Sequence, residues 1–302
     1  IRLMDDYKNV STINLTLAPS RMIEEVRTLD PAKKDIDYDM DENILQVIAQ
    51  PLNEATNTAQ VYTNGAVTEV SPDYFNTLRA EYLFDMRKQI PDSIVVGESS
   101  FVPNIKAVIP SGILYTFYSD AMDITFPKDA LFDTLYFQSS HKINLDSGEV
   151  FSIGNWRAPL NKYIAVTLKP TATYPDKSRL AVYCHLGKDR YAYAGGTWSN
   201  GHIKFYTRDF GSFSILEDTV PPSIRTIYAN SRSLRFKVCD DRSVIANMEA
   251  YVNGEWVLMH YDAKTSTIWS EKFDKTIPFK GELEVIITDN AGNKQTLKQK
   301  IL

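Results

Sequence analysis

Histidine is scarce in this chain, four in 302 residues, and none of the four stands in His-x-His or His-Glu-x-x-His spacing. The usual sequence signatures of a catalytic zinc centre are therefore missing. Cysteine is scarcer still. Cys184 and Cys239 lie on opposite sides of the clearest boundary in the chain and belong to no CxxC pair. That removes the metal-knuckle and dithiol-redox classes, argues against a disulfide between the two, and leaves each to be read as a small buried hydrophobe. No Gly-x-Ser-x-Gly nucleophile elbow occurs. No apolar run approaches the ~18–20 residues of a membrane-spanning helix. Positive charge does not collect either. Lys and Arg number 33 against 38 Asp and Glu, for a formal net charge of −5, and the cations are spread along the chain. The electrostatic footprint expected of a nucleic-acid or anionic-membrane surface is absent.

What is abundant points to pleated sheet. Hydrophobic residues make up 43% and aromatics 12%, with 17 tyrosines, enough for real cores. Tyr, Val, Ile, Thr and Phe, the residues that suit a half-buried pleated surface, recur throughout. Short apolar runs alternate with turn signals from Ile94 to Phe213, and no long amphipathic helix interrupts them, which is the pattern of a sandwich or barrel. The fold class expected is all-β: consecutive β-sandwich modules ending in an immunoglobulin-like domain.

Boundaries follow from turn and linker chemistry. Asp218-Thr-Val-Pro-Pro222 is a linker, because proline cannot donate to a sheet ladder and two of them stiffen the segment. The ~80 residues beyond it alternate as strands around an Asn253-Gly254 hairpin signal, so 218–302 reads as an immunoglobulin-like sandwich. Upstream, 99–217 reads as a β-sandwich module and 19–98 as a β-rich module. Ser71-Pro72 has the form of a helix start, with Leu78 to Met86 reading as strand. Residues 1–18 repeat the strand–turn–strand pattern of the last twenty. Because a lone hairpin is marginal, they are expected to finish a truncated immunoglobulin-like module, with Ile1 inside a larger polypeptide.

Few residues suggest chemistry. Asp35 to Asp41 alternates acidic with apolar. Side chains on one face of a strand project in parallel and do not wrap one ion, so a solvated face that discourages edge pairing is expected, not a calcium loop. His185-Leu-Gly-Lys-Asp189 has a His-x-x-x-Asp spacing used by some zinc peptidases, but the third ligand is missing, and a strand end with a polar turn is expected. Trp156 and Trp198 are candidate ligand-contact aromatics, since indole faces stack well on sugars. No catalytic, cofactor-binding or metal-binding residue is expected in this chain.

Three stretches nevertheless resemble a known family. They are Tyr82-Leu-Phe-Asp-Met-Arg87 with Pro91-Asp92; Ile124-Thr-Phe-Pro-Lys-Asp-Ala-Leu-Phe-Asp133; and Phe210-Gly-Ser-Phe213 followed by Asp218-Thr-Val-Pro-Pro-Ser-Ile224, Asp240-Asp-Arg-Ser243, Asn253-Gly-Glu-Trp256 and Asp289-Asn-Ala-Gly-Asn293. Together they resemble the C-terminal accessory β-region of Bacteroidetes-type exported lysostaphin-like zinc metallopeptidases, which cleave peptidoglycan cross-links. The resemblance implies export to the periplasm or cell surface and a cell-wall, envelope or protein partner. It also implies a zinc-bearing catalytic domain upstream of this region, none of whose ligands has a counterpart here. The alternative from another class is a free-standing adhesin or carbohydrate-binding β-sandwich protein.

Overall fold

A computed structural model describes residues 2–4, 10–12, 36–49, 58–76, 79–144, 148–188, 190–272 and 274–302. The chain is all-β, a series of sandwiches ending in an immunoglobulin-like one, and the described residues contain no helix. At the N-terminus Arg2–Met4 pairs antiparallel with Val10–Thr12. The rest of the strand expected up to Ala18 lies outside the described residues.

The next unit is a small sandwich. One sheet runs, in spatial order, Ile36–Asp41, Ile44–Ala49, Ala80–Asp85, Tyr74–Phe75. The other runs Ser99–Phe101, Ser93–Val96, Ala59–Thr63, Ala66–Val70. Strict alternation puts Leu45, Val47 and Ala49 inward, where they meet Tyr82, Ile94 and Val96. The acidic strand is an edge strand, as its charges suit. Met40 is buried beneath it, and the Tyr38 ring lies 4.3 Å from that of Phe101. The helix start expected at Ser71-Pro72 is absent. Tyr74–Phe75 is strand instead, and the Asp73 carboxylate accepts from the Leu83 amide at 2.7 Å. Pairing of Tyr74–Phe75 with Ala80–Asp85 overrides the local helix-start signal.

Two five-stranded sheets form the middle sandwich. The first is ordered Tyr115–Tyr118, Met122–Phe126, Ile164–Leu168, His202–Thr207, Thr197–Ser199; the second Ser139–Asn144, Gly148–Ile153, Gly211–Glu217, Leu180–His185, Tyr191–Gly195. Its core is aromatic, with Phe126, Phe137, Phe151, Phe205 and Phe213 all fully buried. Gly154 is required there: its φ is +61°, and a Cβ would overlap the Phe210 ring.

The C-terminal sandwich has one sheet ordered Ser223–Ala229, Leu234–Cys239, Thr267–Ser270, Met259–Asp262. The facing sheet is ordered Glu255–Trp256, Ile245–Val252, Gly281–Asp289, Lys294–Ile301. In chain order this is the immunoglobulin arrangement, first, second, fifth and fourth strands facing third, sixth and seventh, with a short extra strand beside the third. Asn253 and Gly254 both have positive φ, 52° and 82°, and join their strands as a tight primed turn. The two cysteines are free. Cys184 is half-buried against the middle core, but Cys239 is exposed and not the buried hydrophobe expected. It closes a strand that alternates inward and outward, and Val238 takes the inward position.

Candidate functional site: an aromatic groove and an acidic seam

Successive sandwiches are fastened to one another by specific contacts. Tyr136 lies on the Leu135–Phe137 strand, which pairs with Ala107–Ile109; Leu135 and Phe137 pack in the middle core, while Tyr136 is buried in the core of the preceding unit. Nearby, the Asn155 Nδ2 donates to the Met40 carbonyl at 2.6 Å, and the Arg157 guanidinium pairs with Asp39. At the next seam Asn293, 5% exposed, donates from Nδ2 to the Asp218 carbonyl at 3.0 Å, and Arg242 donates to the Glu217 carbonyl at 2.9 Å.

A depression of about 770 Å³ opens on the middle sandwich. Trp156, Tyr163, Tyr206 and Arg208 line its mouth, with His185 and Phe213 deeper. Trp156 is 74% exposed. Cations cover one face of two of these rings: Arg157 sits 5.4 Å from the Trp156 ring centre, and Arg208 5.9 Å from that of Tyr163. A ligand stacking here would use the opposite ring faces. Trp198 is not part of the groove. It is half-buried, donates from Nε1 to the Leu180 carbonyl at 3.2 Å, and packs on Tyr174.

His185 ends the Leu180–His185 strand, and Asp189 lies outside the described residues. The imidazole Nε2 is 2.9 Å from the Ser214 hydroxyl, a spacing shared with nucleophile–base pairs. The proton geometry differs from such a pair. Ser214, buried, donates to the Glu149 carbonyl at 2.7 Å, so it must accept from His185. Burial lowers the His185 pKa, keeping the ring neutral. The Cys184 thiol, also on the groove, is held protonated by burial and by the Asp209 charge. On the same sheet, Glu149 is buried and accepts from the amides of Ala172 and Thr171 at 2.6 and 3.1 Å and meets His141 at 2.7 Å. Burial alone would raise its pKa; these bonds outweigh it, and the pKa is lowered.

The second seam holds a cluster that sequence reading missed. Asp218 from the linker, Asp240 after the Leu234–Cys239 strand and Asp289 at the end of Gly281–Asp289 each bring a carboxylate oxygen within 4.8 Å of the others. Burial, then the charges of Asp218 and Asp289, raise the Asp240 pKa against two backbone amides that lower it. Each aspartate opens an ordinary turn motif, and the immunoglobulin topology brings those turns to one pole.

Comparison with known families reaches one part of this architecture. Residues 114–218 match the Zu5-like domain family. The middle sandwich is similar to a Zu5-like domain. The match spans nearly all of that unit, about a third of the chain, and ends on Asp218, the first member of the acidic cluster. A search of curated proteins returns no match. Among the described residues no helix is long and apolar enough to cross a membrane.

Proposed function

We propose that this chain is a non-catalytic positioning region of an exported cell-wall metallopeptidase, which holds a ligand-contacting face of the Zu5-like sandwich at a fixed place relative to its neighbours. The observation that carries this is the fastening of the sandwiches: Tyr136 seated in the preceding core and Asn155 bonded across the same seam. Flexible strings of domains meet through polar, readily separated interfaces. A side chain buried in its neighbour's core is a different device, suited to transmitting position. The resemblance over Tyr82–Arg87 and Ile124–Asp133 supplies the cell-wall context and the expectation of zinc chemistry elsewhere in the polypeptide.

Co-sedimentation of the purified chain with insoluble peptidoglycan, with soluble fragments measured alongside, tests the reading. The expected result is sedimentation without release of fragments. A chain that stays in the supernatant, or that solubilises the wall, would overturn it. The second reading, a free-standing carbohydrate-binding protein, draws on the exposed Trp156 beside Tyr163 and Tyr206. It expects soluble oligosaccharide to compete for the groove and Trp156→Ala to lose glycan binding without loss of fold.

A further inference from the structure

We infer that Asp218, Asp240 and Asp289 form a divalent-cation site, of the calcium class, that clamps the linker between the middle and C-terminal sandwiches. It goes beyond the positioning role proposed above and stands without it. The three carboxylates arrive from separate segments: the linker, the loop after Leu234–Cys239 and the turn after Gly281–Asp289. One oxygen of each lies within 4.8 Å of the others. Oxygens that share one calcium ion at its usual bond lengths are at most about 5 Å apart, so the triangle is the right size for a single ion.

An independent feature points the same way. Asp218 is 1% exposed, and its Oδ2 has no hydrogen-bond donor, while Oδ1 accepts from the Val220 amide at 3.0 Å. A buried carboxylate oxygen facing two further carboxylates is strongly disfavoured unless a positive charge joins them. Among the described residues no lysine or arginine forms an ion pair with any of the three. Arg242, two residues from Asp240, directs its guanidinium to the Glu217 carbonyl instead. In the same loop the Oγ of Ser243, a residue without exposure, also lacks a partner.

The carboxylates of Asp240 and Asp289 are also held by protein donors, as the outer shell of an ion site requires. Asp240 Oδ2 accepts from the Arg242 and Val244 amides at 3.0 and 2.8 Å. Asp289 Oδ1 accepts from the Asn293 amide at 2.8 Å, and Oδ2 from Asn293 Nδ2 at 2.9 Å. The donor set is oxygen alone, without histidine or thiolate, which selects a hard cation. Three carboxylates from the protein suit calcium better than magnesium, which gives up its waters reluctantly. An ion bound here would join the end of one sandwich to two loops of the next.

The test is titration of the whole chain, first stripped with EDTA, with CaCl2 and in parallel MgCl2, read by calorimetry and thermal unfolding. Calcium is expected to bind once and raise the Tm by about 5 °C or more at saturation. Asp218→Asn is expected to weaken binding at least tenfold. In EDTA it should also melt higher than the parent, because one of three like charges is gone. Should Asp218→Asn fail to fold, the half-buried Asp240→Asn carries the same comparison. No calcium heat and no Tm shift in the parent chain would overturn the site. So would calcium binding unchanged in these variants, or a larger response to magnesium.

Discussion

The two seams that fasten the sandwiches do similar work with opposite electrostatics. Where the first sandwich meets the middle one, charge is balanced: Arg157 pairs with Asp39, Asn155 bonds Met40, and Tyr136 supplies apolar burial. Where the middle sandwich meets the C-terminal one, three aspartates converge, and the polar bonds that cross the seam reach backbone carbonyls. The first seam is complete with protein groups alone. The second carries uncompensated negative charge and is open to control by whatever neutralises it. The lesson is that similar module contacts can differ in what the solution does to them: salt should weaken the charged pair of the first seam and relieve the repulsion of the second.

Breaking the first seam should have the largest effect. Tyr136→Ala removes a ring buried in the neighbouring core and should cost about 3 kcal/mol in chemical denaturation, in the range of large-to-small core substitutions. At the second seam Asn293→Ala should cost about 2 kcal/mol, because it strips the Asp218 carbonyl and the Asp289 carboxylate of buried donors. Asn155→Ala should cost about 1 kcal/mol, the usual worth of one half-buried bond. Arg157→Ala is smallest, about 0.5 kcal/mol at low salt and nothing measurable at high salt, since both partners are well exposed.

Acid separates the buried carboxylates in the same way. Glu149, whose folded pKa is lowered, contributes stability that is present above its unfolded pKa and lost as pH falls through the folded value. Asp240, whose folded pKa is raised, works in the opposite sense: the second seam gains stability as pH falls from above that raised value towards the ordinary carboxylate range. Glu149→Gln should therefore flatten the acid limb of a stability–pH curve, and Asp240→Asn should flatten the gain in mild acid.

Much of the fold was legible because period-two alternation and turn chemistry are local. The Ile36–Asp41 strand and the Asn253-Gly254 hairpin could be read directly, and Asn64-Gly65 and Asn200-Gly201 close hairpins of the same kind, with positive φ at all four residues. Ser71-Pro72 misled because its helix-start signal is local, whereas the pairing of Tyr74–Phe75 with Ala80–Asp85 is not. Cys239 misled because a strand's face, not the residue's polarity, set its exposure. The acidic cluster was out of reach for another reason. Asp218, Asp240 and Asp289 each look like ordinary turn residues, and only the three-dimensional closure of the sandwich makes them neighbours. Trp156 and Trp198 are alike in sequence, and their difference in exposure is likewise tertiary.

The most direct test of the central claim, that the sandwiches hold fixed relative positions, is small-angle X-ray scattering of the full chain beside the Tyr136→Ala/Asn155→Ala double variant. The account predicts that the parent's sandwiches scatter as one fixed arrangement and that the variant broadens towards a mixture of orientations. A parent profile that can be fitted only by freely reorienting sandwiches, unchanged by the substitutions, would contradict it.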